Sequence, residues 1–314
     1  MKAKIVTTAG LTVAGLAAAV ALAAPAASAA TGALTEVTDF GYNPTNIQMY
    51  EYVPARVRPH PGILVAAHWC TGTGPAMYSG TEFASLADQY GFIVIYPSIT
   101  GSITCWDVAS DAALTHNGSS DPAGIRSMVQ REIKNRGANA NRVYMTGISS
   151  GAMLTNVMLA DYPDVFKAGA AFMGVPYHCF YTGTFRGWNN DCSTGLISKT
   201  PKQWGDLVRA AYPGYRGPRP RMQLWHGTLD EALNYHNLGE EIKQWTDVLG
   251  VSQTPAFTDN PSPIWTRTRY GGTGVTAPVE ANSFVGYGHE LPKPGMAAMA
   301  LQFMGLIPSG APSS

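Results

Sequence analysis

The chain has 314 residues and no net formal charge, and its 21 basic and 21 acidic residues make up only 13% of it. This balance, without a basic block, argues against nucleic acid or an anionic membrane as a partner. Glycine, threonine, serine and aromatic residues are plentiful, a composition that suits contact with a neutral polymer.

The first 30 residues have the pattern of a secretory signal peptide. Lys2 and Lys4 precede an apolar run over residues 11–24, and Ala-Ser-Ala at 27–29 fits the small-x-small cleavage rule. The apolar run is short for a membrane span, and no later segment is long and apolar enough for one. The sequence therefore predicts a secreted, extracellular protein whose signal peptide covers residues 1–30.

Short apolar runs that predict buried strands alternate with segments of helical spacing. The predicted strands are 63–67, 92–96, 142–145, 168–172, 221–225 and 282–285. The predicted helices are 81–90, 121–136, 150–160, 238–249 and 294–303, the first two ended by Gly91 and Gly137. Such alternation predicts right-handed βαβ units, and hence an α/β fold with a mostly parallel sheet.

Three further segments complete the predicted organisation. Residues 34–57 alternate in polarity and predict an antiparallel edge of the sheet. Residues 175–220 are rich in Gly, Pro, Trp and Tyr with little periodicity, and we interpret them as a long insertion over one end of the sheet. We find no internal repeat or interdomain linker, so we predict one domain over residues 31–306, followed by a solvated Pro/Ser/Gly tail over 307–314.

A serine between two glycines marks the end of the third predicted strand. In the stretch "VYMTGISSGAM", which begins at Val143, an apolar run stops at Gly147, and Ser149 and Gly151 follow at two-residue intervals. G-x-S-x-G is the pattern of a nucleophile elbow, which holds a serine in a strained strand-to-helix turn with its oxygen exposed. An ordinary tight turn is the alternative. The motif therefore needs a base and an acid elsewhere in the chain.

The sequence supplies both partners in the order that α/β-hydrolases use, serine, then acid, then histidine. Asp230 follows the predicted strand 221–225, and His289 follows the predicted strand 282–285. Loops at the carboxyl ends of parallel strands are where such sheets carry their chemistry. An aspartate in an Asx-turn and a surface histidine are the respective alternatives. Of the other histidines, His68 and His226 end strands and are expected to brace loops.

The oxyanion that forms on nucleophilic attack needs two backbone N–H donors. One is expected from Ser150 at the start of the next helix, and the other from the loop over residues 68–73. No G-K-[ST] or G-x-G-x-x-G follows a strand in the way that phosphate binding requires. A metal site built from His226, Asp230 and His236 matches no established spacing, so neither a metal nor an organic cofactor is predicted.

Four cysteines, an even number in a chain predicted to be exported, indicate two disulfides. Sequence alone permits three pairings of Cys70, Cys105, Cys179 and Cys192. Zinc binding is the alternative, but no C-x-x-C spacing supports it.

Several segments together resemble the acetylxylan esterases of carbohydrate esterase family 1. They are "HWCTGTG" from His68, "GISSGAMLTNVMLADYPDVFKAGAAFMGVP" from Gly147, "WNNDC" from Trp188, "QWGDLVRAAYPGYRGPRPRMQLWHGTLD" from Gln203 and "GYGH" from Gly286. The resemblance extends over residues 35–306, and more distantly it includes feruloyl esterases and polyhydroxybutyrate depolymerases. It implies an α/β-hydrolase fold with helices on both faces of the sheet and a serine esterase that deacetylates acetylated xylan.

The resemblance also implies roles for individual residues. Ser149 would be the nucleophile, Asp230 the acid and His289 the base, in agreement with the order of these residues in the chain. Cys70 would donate its backbone N–H to the oxyanion and pair with Cys105. Trp188 of "WNNDC" matches an aromatic residue at the substrate cleft of the family.

The remaining predictions concern the second disulfide, Trp106, the oligomeric state and the alternative functions. We predict that Cys179 pairs with Cys192 and that Trp106 joins Trp188 in binding substrate, with core packing as the alternative for both tryptophans. A monomer is expected. Feruloyl esters and polyhydroxybutyrate are the alternative substrates, and a catalytically inactive carbohydrate-binding module is the alternative outside the enzymes.

Overall fold

The computed structural model describes residues 1, 3, 32–101 and 105–311. The predicted signal peptide, apart from residues 1 and 3, lies outside the described residues, as do residues 312–314 of the predicted tail. None of the helices in the described part of the chain has the length and apolar character needed to cross a membrane.

A 10-stranded sheet runs through the described part of the chain. Its strands are β1 (Leu34–Val37), β2 (Gln48–Tyr52), β3 (Ile63–Ala67), β4 (Ile93–Ser98), β5 (Val143–Ile148), β6 (Ala168–Phe172), β7 (Arg221–Gly227), β8 (Phe257–Ser262), β9 (Trp265–Tyr270) and β10 (Val279–Phe284). They lie in the order β1-β2-β4-β3-β5-β6-β7-β10-β9-β8. The strands from β4 to β10 in this order are parallel, and the strands outside them are antiparallel to their neighbours.

Helices cover both faces of this sheet. They are α1 (Gly74–Gly80), α2 (Phe83–Tyr90), α3 (Asp121–Arg136), α4 (Ser150–Asp161), α5 (Asn190–Ser193), α6 (Pro201–Ala211), α7 (His236–Val248) and α8 (Met296–Met304). Along β3, Ile63, Val65 and Ala67 pack into the layer of α3, α4, α6 and α7, while Leu64 and Ala66 pack into the layer of α1, α2 and α8. Because a strand buried on both faces must be apolar at every position, β3 has no polar residue. The predicted α/β-hydrolase fold is confirmed.

The interpretation of residues 175–220 as an insertion with little periodicity was wrong for its second half, which forms α6. Trp204 and Val208 of this helix are fully buried in the core. The Thr200 hydroxyl accepts the Gln203 N–H at 3.2 Å, the Gln203 side chain accepts the Thr200 N–H at 2.9 Å, and Pro201 occupies the first turn. This capping box was the signal available in the sequence.

The remainder of the predicted insertion lies between β6 and α6. The disulfide between Cys179 and Cys192 closes a short loop in it, within which Trp188 is about half exposed. At the other end of the domain, Ile307, the first residue of the predicted tail, is buried against the layer of α1, α2 and α8.

Candidate active site

Ser149 occupies a sharp turn between β5 and α4. Its backbone has φ 57° and ψ −117°, a left-handed conformation that a non-glycine residue rarely adopts. The Ser149 N–H donates to the Phe172 carbonyl of the adjacent strand at 2.9 Å, which fixes the turn against the sheet. A Cβ atom at Gly151 would overlap the Ala67 carbonyl, and one at Gly147 would overlap the backbone of Gly151. The two glycines of the motif are therefore required by close backbone approach.

Asp230 and His289 form a hydrogen-bonded pair beside this turn. Asp230 follows β7, is only 4% exposed, and accepts the His289 Nδ1–H on its Oδ2 at 2.7 Å. Its Oδ1 accepts the backbone N–H groups of Ala232 and Leu233, each at 2.9 Å. Both carboxylate oxygens are occupied, so the carboxylate holds the imidazole in one orientation and one tautomer.

His226, which was expected only to brace a loop, is a further contact of Asp230. Its ring is fully buried, and its Nε2 lies 2.7 Å from the Leu233 carbonyl and 3.3 Å from Asp230 Oδ2. Burial raises the pKa of Asp230, but hydrogen bonds from His226, His289 and the Leu233 amide lower it by more, so the net pKa lies below its ordinary value. Asp230 is therefore ionised at neutral pH. The spacing of four residues between His226 and Asp230 was the available signal.

A second group of contacts involves Ser150, which follows Ser149, and the loop after β3. Ser150 is buried at the first turn of α4, where backbone N–H groups have no intrahelical acceptor. Its hydroxyl accepts the Trp106 N–H at 2.8 Å, and the Trp106 indole N–H donates to the His68 carbonyl at 2.8 Å. The Cys70–Cys105 disulfide, one of the two predicted pairs, joins the loop after β3 to the segment after β4.

His68 fixes the loop that carries Cys70. Its Nδ1 donates to the Trp69 carbonyl at 2.6 Å, and its Nε2 accepts the Ile99 N–H at 3.2 Å. Burial lowers the pKa of His68 to about 4, an effect that outweighs the opposing contribution of the Trp69 hydrogen bond. A neutral ring is what this arrangement needs, because a protonated Nε2 could not accept the Ile99 amide.

Ser149 and His289 open into a common cavity of about 450 Å³, which Cys70 and Trp188 also line. Its walls are otherwise largely apolar, with side chains of Trp69, Ile148, Met173 and Leu291 among them. The Trp188 indole N–H donates to Asn190 Oδ1 at 3.1 Å, and its ring meets Phe180 edge-on at 4.9 Å between centroids. The structure thus brings Trp188 to the mouth of the cavity that contains the serine.

Trp106 lies elsewhere. It is 1% exposed, and it lines a neighbouring cavity of about 320 Å³ together with Cys105 and Trp188. Its contacts with Ser150 and His68 place it beneath the loop after β3, in the core-packing position that was the alternative to direct substrate binding.

A buried polar network fastens the insertion near Trp188 to the segment that contains Trp106. The Asp107 carboxylate accepts the hydroxyls of Ser110 and Ser120 at 2.5 and 2.6 Å and the Arg186 backbone N–H at 3.1 Å. The Arg186 guanidinium pairs with Asp121 at 3.1 Å. Because these groups are buried and mutually hydrogen-bonded, they hold the two segments in a fixed relation. This network had no motif in the sequence.

The three residues considered for a metal site do not converge. His226 contacts Asp230, but the His236 Nε2 lies 2.8 Å from the Ser198 hydroxyl and 3.1 Å from Glu240 Oε1. In the part of the chain that the structure describes, no three His, Cys, Asp or Glu side chains are grouped as metal ligands.

The chain is similar to known esterases over most of its length. A family model described as "Esterase PHB depolymerase" matches residues 52–183. An acetylxylan esterase of Coprinopsis cinerea is 47% identical over 286 residues, which cover 90% of this chain and 75% of the relative. Acetylxylan esterase A of Aspergillus ficuum is 46% identical over 264 residues, or 83% of this chain and 86% of the relative.

A solved structure is similar at the level of the whole fold. The acetyl xylan esterase from Aspergillus awamori superimposes with a TM-score of 0.83 at 43% identity, covering 88% of this chain and 100% of that one. Identity of this extent, over a shared fold and a shared length, shows common descent as well as common topology. The chain therefore belongs to the acetylxylan esterase family and is a carboxylic ester hydrolase of the α/β-hydrolase fold.

Proposed function

We propose that this protein is a secreted acetylxylan esterase that removes acetyl groups from acetylated xylan with Ser149 as nucleophile, His289 as base and Asp230 as the acid that orients the base. The observation that carries the proposal is the Asp230–His289 hydrogen bond of 2.7 Å at a cavity that also contains the strained Ser149 turn. The relatives named acetylxylan esterase support the choice of substrate.

In the proposed first half-reaction, His289 Nε2 takes the proton from the Ser149 hydroxyl as the oxygen attacks the acetyl carbonyl carbon. The backbone N–H groups of Ser150 and Cys70 stabilise the oxyanion of the tetrahedral intermediate. When this intermediate collapses, the carbon–oxygen bond to the sugar breaks and the sugar oxygen takes the proton from His289. An acetyl ester on Ser149 remains.

In the second half-reaction, water replaces the sugar hydroxyl. His289 removes a proton from the water as its oxygen attacks the acetyl-enzyme, and returns that proton to the Ser149 oxygen as acetate leaves. Asp230 remains ionised throughout, which agrees with its lowered pKa, and it stabilises the imidazolium that forms twice in each turnover.

The lining of the cavity supports selection by the size of the acyl group. Trp188, Met173 and Leu291 are among its apolar walls. A single methylene in an apolar pocket changes discrimination by about 1–3 kcal/mol, so walls of this kind can select acetyl over longer acyl groups.

The proposal that the protein is secreted is supported by the sequence of residues 1–30 and by the disulfides. Lys2, Lys4 and the following apolar run have the form of a signal peptide, and two disulfides with no free cysteine in the described residues suit an oxidising compartment. A monomer remains the prediction for the oligomeric state.

The deciding experiment compares three products from one enzyme preparation: acetate from acetylated xylan, ferulate from a ferulate ester, and hydroxybutyrate from polyhydroxybutyrate. Ser149→Ala is the matched control for each, and a fluorophosphonate probe should label the parent protein and leave this variant unlabelled. We expect efficient acetate release and little of the other two products. Preferential release of ferulate or hydroxybutyrate would contradict the proposed substrate.

A further inference from the structure

A second large cavity lies outside the proposed active site, between α3 and the loop that precedes β2. It has a volume of about 440 Å³, close to that of the cavity at Ser149, and the two cavities share no lining residue. Arg126, Lys134, Gln130 and Asn135 of α3 line one side, and Tyr42 lies on the other. We call this cavity the Arg126 groove.

Two cations in the Arg126 groove have no acidic partner in the part of the chain that the structure describes. Among the described residues, neither Arg126 nor Lys134 forms an ion pair. The Arg126 guanidinium lies 5.8 Å above the Tyr162 ring, and its Nε is buried without a hydrogen bond in the described structure. By contrast, Arg131 on the same helix pairs with Glu51 at 2.7 Å and with Glu132 at 2.5 Å.

The charge that remains in the groove is positive. Asp39 is the acidic residue of the lining, against the two cations Arg126 and Lys134. The charge of Arg131 is balanced, because Arg131 and Arg136 together pair with Glu51 and Glu132. An incoming carboxylate could bind the Arg126 guanidinium, which already packs over the Tyr162 ring. A guanidinium can bind both oxygens of a carboxylate.

The rest of the lining suits a hydroxyl-rich ring. The amide side chains of Gln130 and Asn135 can each donate and accept hydrogen bonds. The Tyr42 ring is 58% exposed although its hydroxyl is fixed by donation to Ser119 Oγ at 2.9 Å. A fixed, exposed aromatic ring beside amides and a guanidinium offers a stacking surface as well as polar contacts.

We infer that the Arg126 groove binds a saccharide that carries a carboxylate, with Arg126 and Lys134 holding the carboxylate and Tyr42 packing against the sugar ring. The saccharide part of this inference rests on the proposed function, in which the enzyme acts on a polysaccharide. Occupation of the groove would tether the enzyme to one polymer chain and raise the effective concentration of ester groups at Ser149.

The test measures binding directly, in the Ser149→Ala background, so that no ester is consumed. Calorimetric titration uses two probes: a xylo-oligosaccharide that carries one uronic acid and the neutral oligosaccharide of the same length. We expect tighter binding of the acidic probe, and a loss of about tenfold in its affinity in Arg126→Gln and in Lys134→Gln, because each removes a charge-assisted contact. Lys202→Gln, which removes an exposed lysine on α6, is the matched control and should bind as the parent does.

Three results would overturn the inference. The first is equal affinity for the acidic and the neutral probe, and the second is unchanged affinity for the acidic probe in both groove variants. Lys134 is exposed, so its variant reports on the groove even where Arg126→Gln fails to fold. The third is displacement of the acidic probe by inorganic phosphate at equal concentration, which would identify a general anion site. Failure of the proposed function would show separately, as absence of acetate release by the parent enzyme with groove binding intact.

Discussion

The two sides of the Ser149 cavity are held in place by different kinds of interaction. On the side of the proposed base, the loops after β7 and β10 meet through the ionised Asp230 and its contacts with His226 and His289. On the side of the proposed oxyanion donors, the loop after β3 is held by a neutral, buried His68, by the Trp106 indole and by a disulfide.

The difference follows from what each side does in the proposed reaction. A proton moves through His289, so its neighbours must respond to a change of charge, and an ionised carboxylate does so. Donors to an oxyanion act best when they do not move, and a covalent bond together with uncharged hydrogen bonds provides that rigidity. Changes on the two sides should therefore have different consequences for rate and for stability.

The largest effect is expected on the side of the base. Ser149→Ala, His289→Ala and Asp230→Asn should each fold and lose about 10⁴-fold or more in kcat, since the three groups act as one unit. A Ser149→Ala/His289→Ala double variant should be little worse than Ser149→Ala alone. The measurements are kcat on an acetyl ester and circular dichroism of each variant.

His226→Ala is the informative comparison for this assignment. It removes a contact of Asp230 but leaves the Asp230–His289 pair, so its loss of activity should be much smaller than that of His289→Ala. If His289→Ala kept near-normal turnover while His226→Ala did not, the base would have been assigned to the wrong histidine.

The two disulfides should separate rate from stability. Replacing Cys70 and Cys105 by alanine should lower both kcat and the free energy of unfolding, because this bond holds the loop of the proposed oxyanion donor. Replacing Cys179 and Cys192 should lower mainly the free energy of unfolding. From the sequence separations of 35 and 13, the chain-entropy relation gives about 4 and about 3 kcal/mol.

Urea unfolding and kcat on an acetyl ester, measured on both double variants, test this contrast. The comparison between the two sides of the cavity would fail if both variants lost stability and neither lost rate.

How much of this structure the sequence predicts depends on whether the pattern that specifies an element lies within the element itself. The strand before Ser149 and the serine turn could be predicted, because an apolar run and two obligatory glycines are local features. The start of β10 was predicted three residues too late, at residue 282 instead of Val279, because the charged Glu280 lies within the strand. Glu280 is buried with partners on two other strands, since Arg269 of β9 pairs with its Oε2 at 2.6 Å and the Gln223 side chain of β7 donates to its Oε1 at 2.8 Å. Partners on other strands are not visible in a local pattern.

The residues of the candidate site also divide into those that the sequence predicts and those that it does not. The order of serine, aspartate and histidine was readable, but the role of Cys70 and the pairing of Cys70 with Cys105 came from family resemblance. The contacts of Asp107 with Arg186 could not be predicted, because they join segments 79 residues apart without a motif in either.

The neutral His68 makes the oxyanion side sensitive to acid. The folded pKa of about 4 lies below the ordinary value of 6.5, so between these values the unfolded chain binds a proton that the folded chain does not. This contribution lowers the free energy of unfolding as the pH falls below 6.5, by about 2 kcal/mol at pH 5, and is absent above that range.

Urea unfolding at pH 7 and pH 5 measures this effect as the difference between the parent and His68→Gln, which cannot take up the proton. We expect a smaller loss of stability on acidification in the variant, while His60→Gln, at an exposed histidine, should lose as much as the parent does. Equal losses in the parent and in His68→Gln would show that His68 is not the group responsible.

The smallest effect is expected at Trp188, a wall of the cavity that belongs neither to the side of the proposed base nor to that of the proposed oxyanion donors. Trp188→Ala should enlarge the cavity and raise kcat/KM on butyryl relative to acetyl esters by about tenfold, since one methylene in an apolar pocket corresponds to about 1–3 kcal/mol. Phe185→Ala, which removes a half-exposed aromatic residue of the same insertion, is the control. An unchanged butyryl-to-acetyl ratio in Trp188→Ala would remove this tryptophan from the acyl side.

Asp107, Asp121 and Arg186 hold the insertion in place, and this affects how the enzyme binds substrate. With this buried network at one end of the Trp188 segment and a disulfide at the other, the wall keeps its shape whether or not a sugar chain is present. Little conformational entropy is then lost when substrate docks. An esterase with such a preshaped mouth should reach its steady rate on a dissolved oligosaccharide without a lag, and without an interface to activate it.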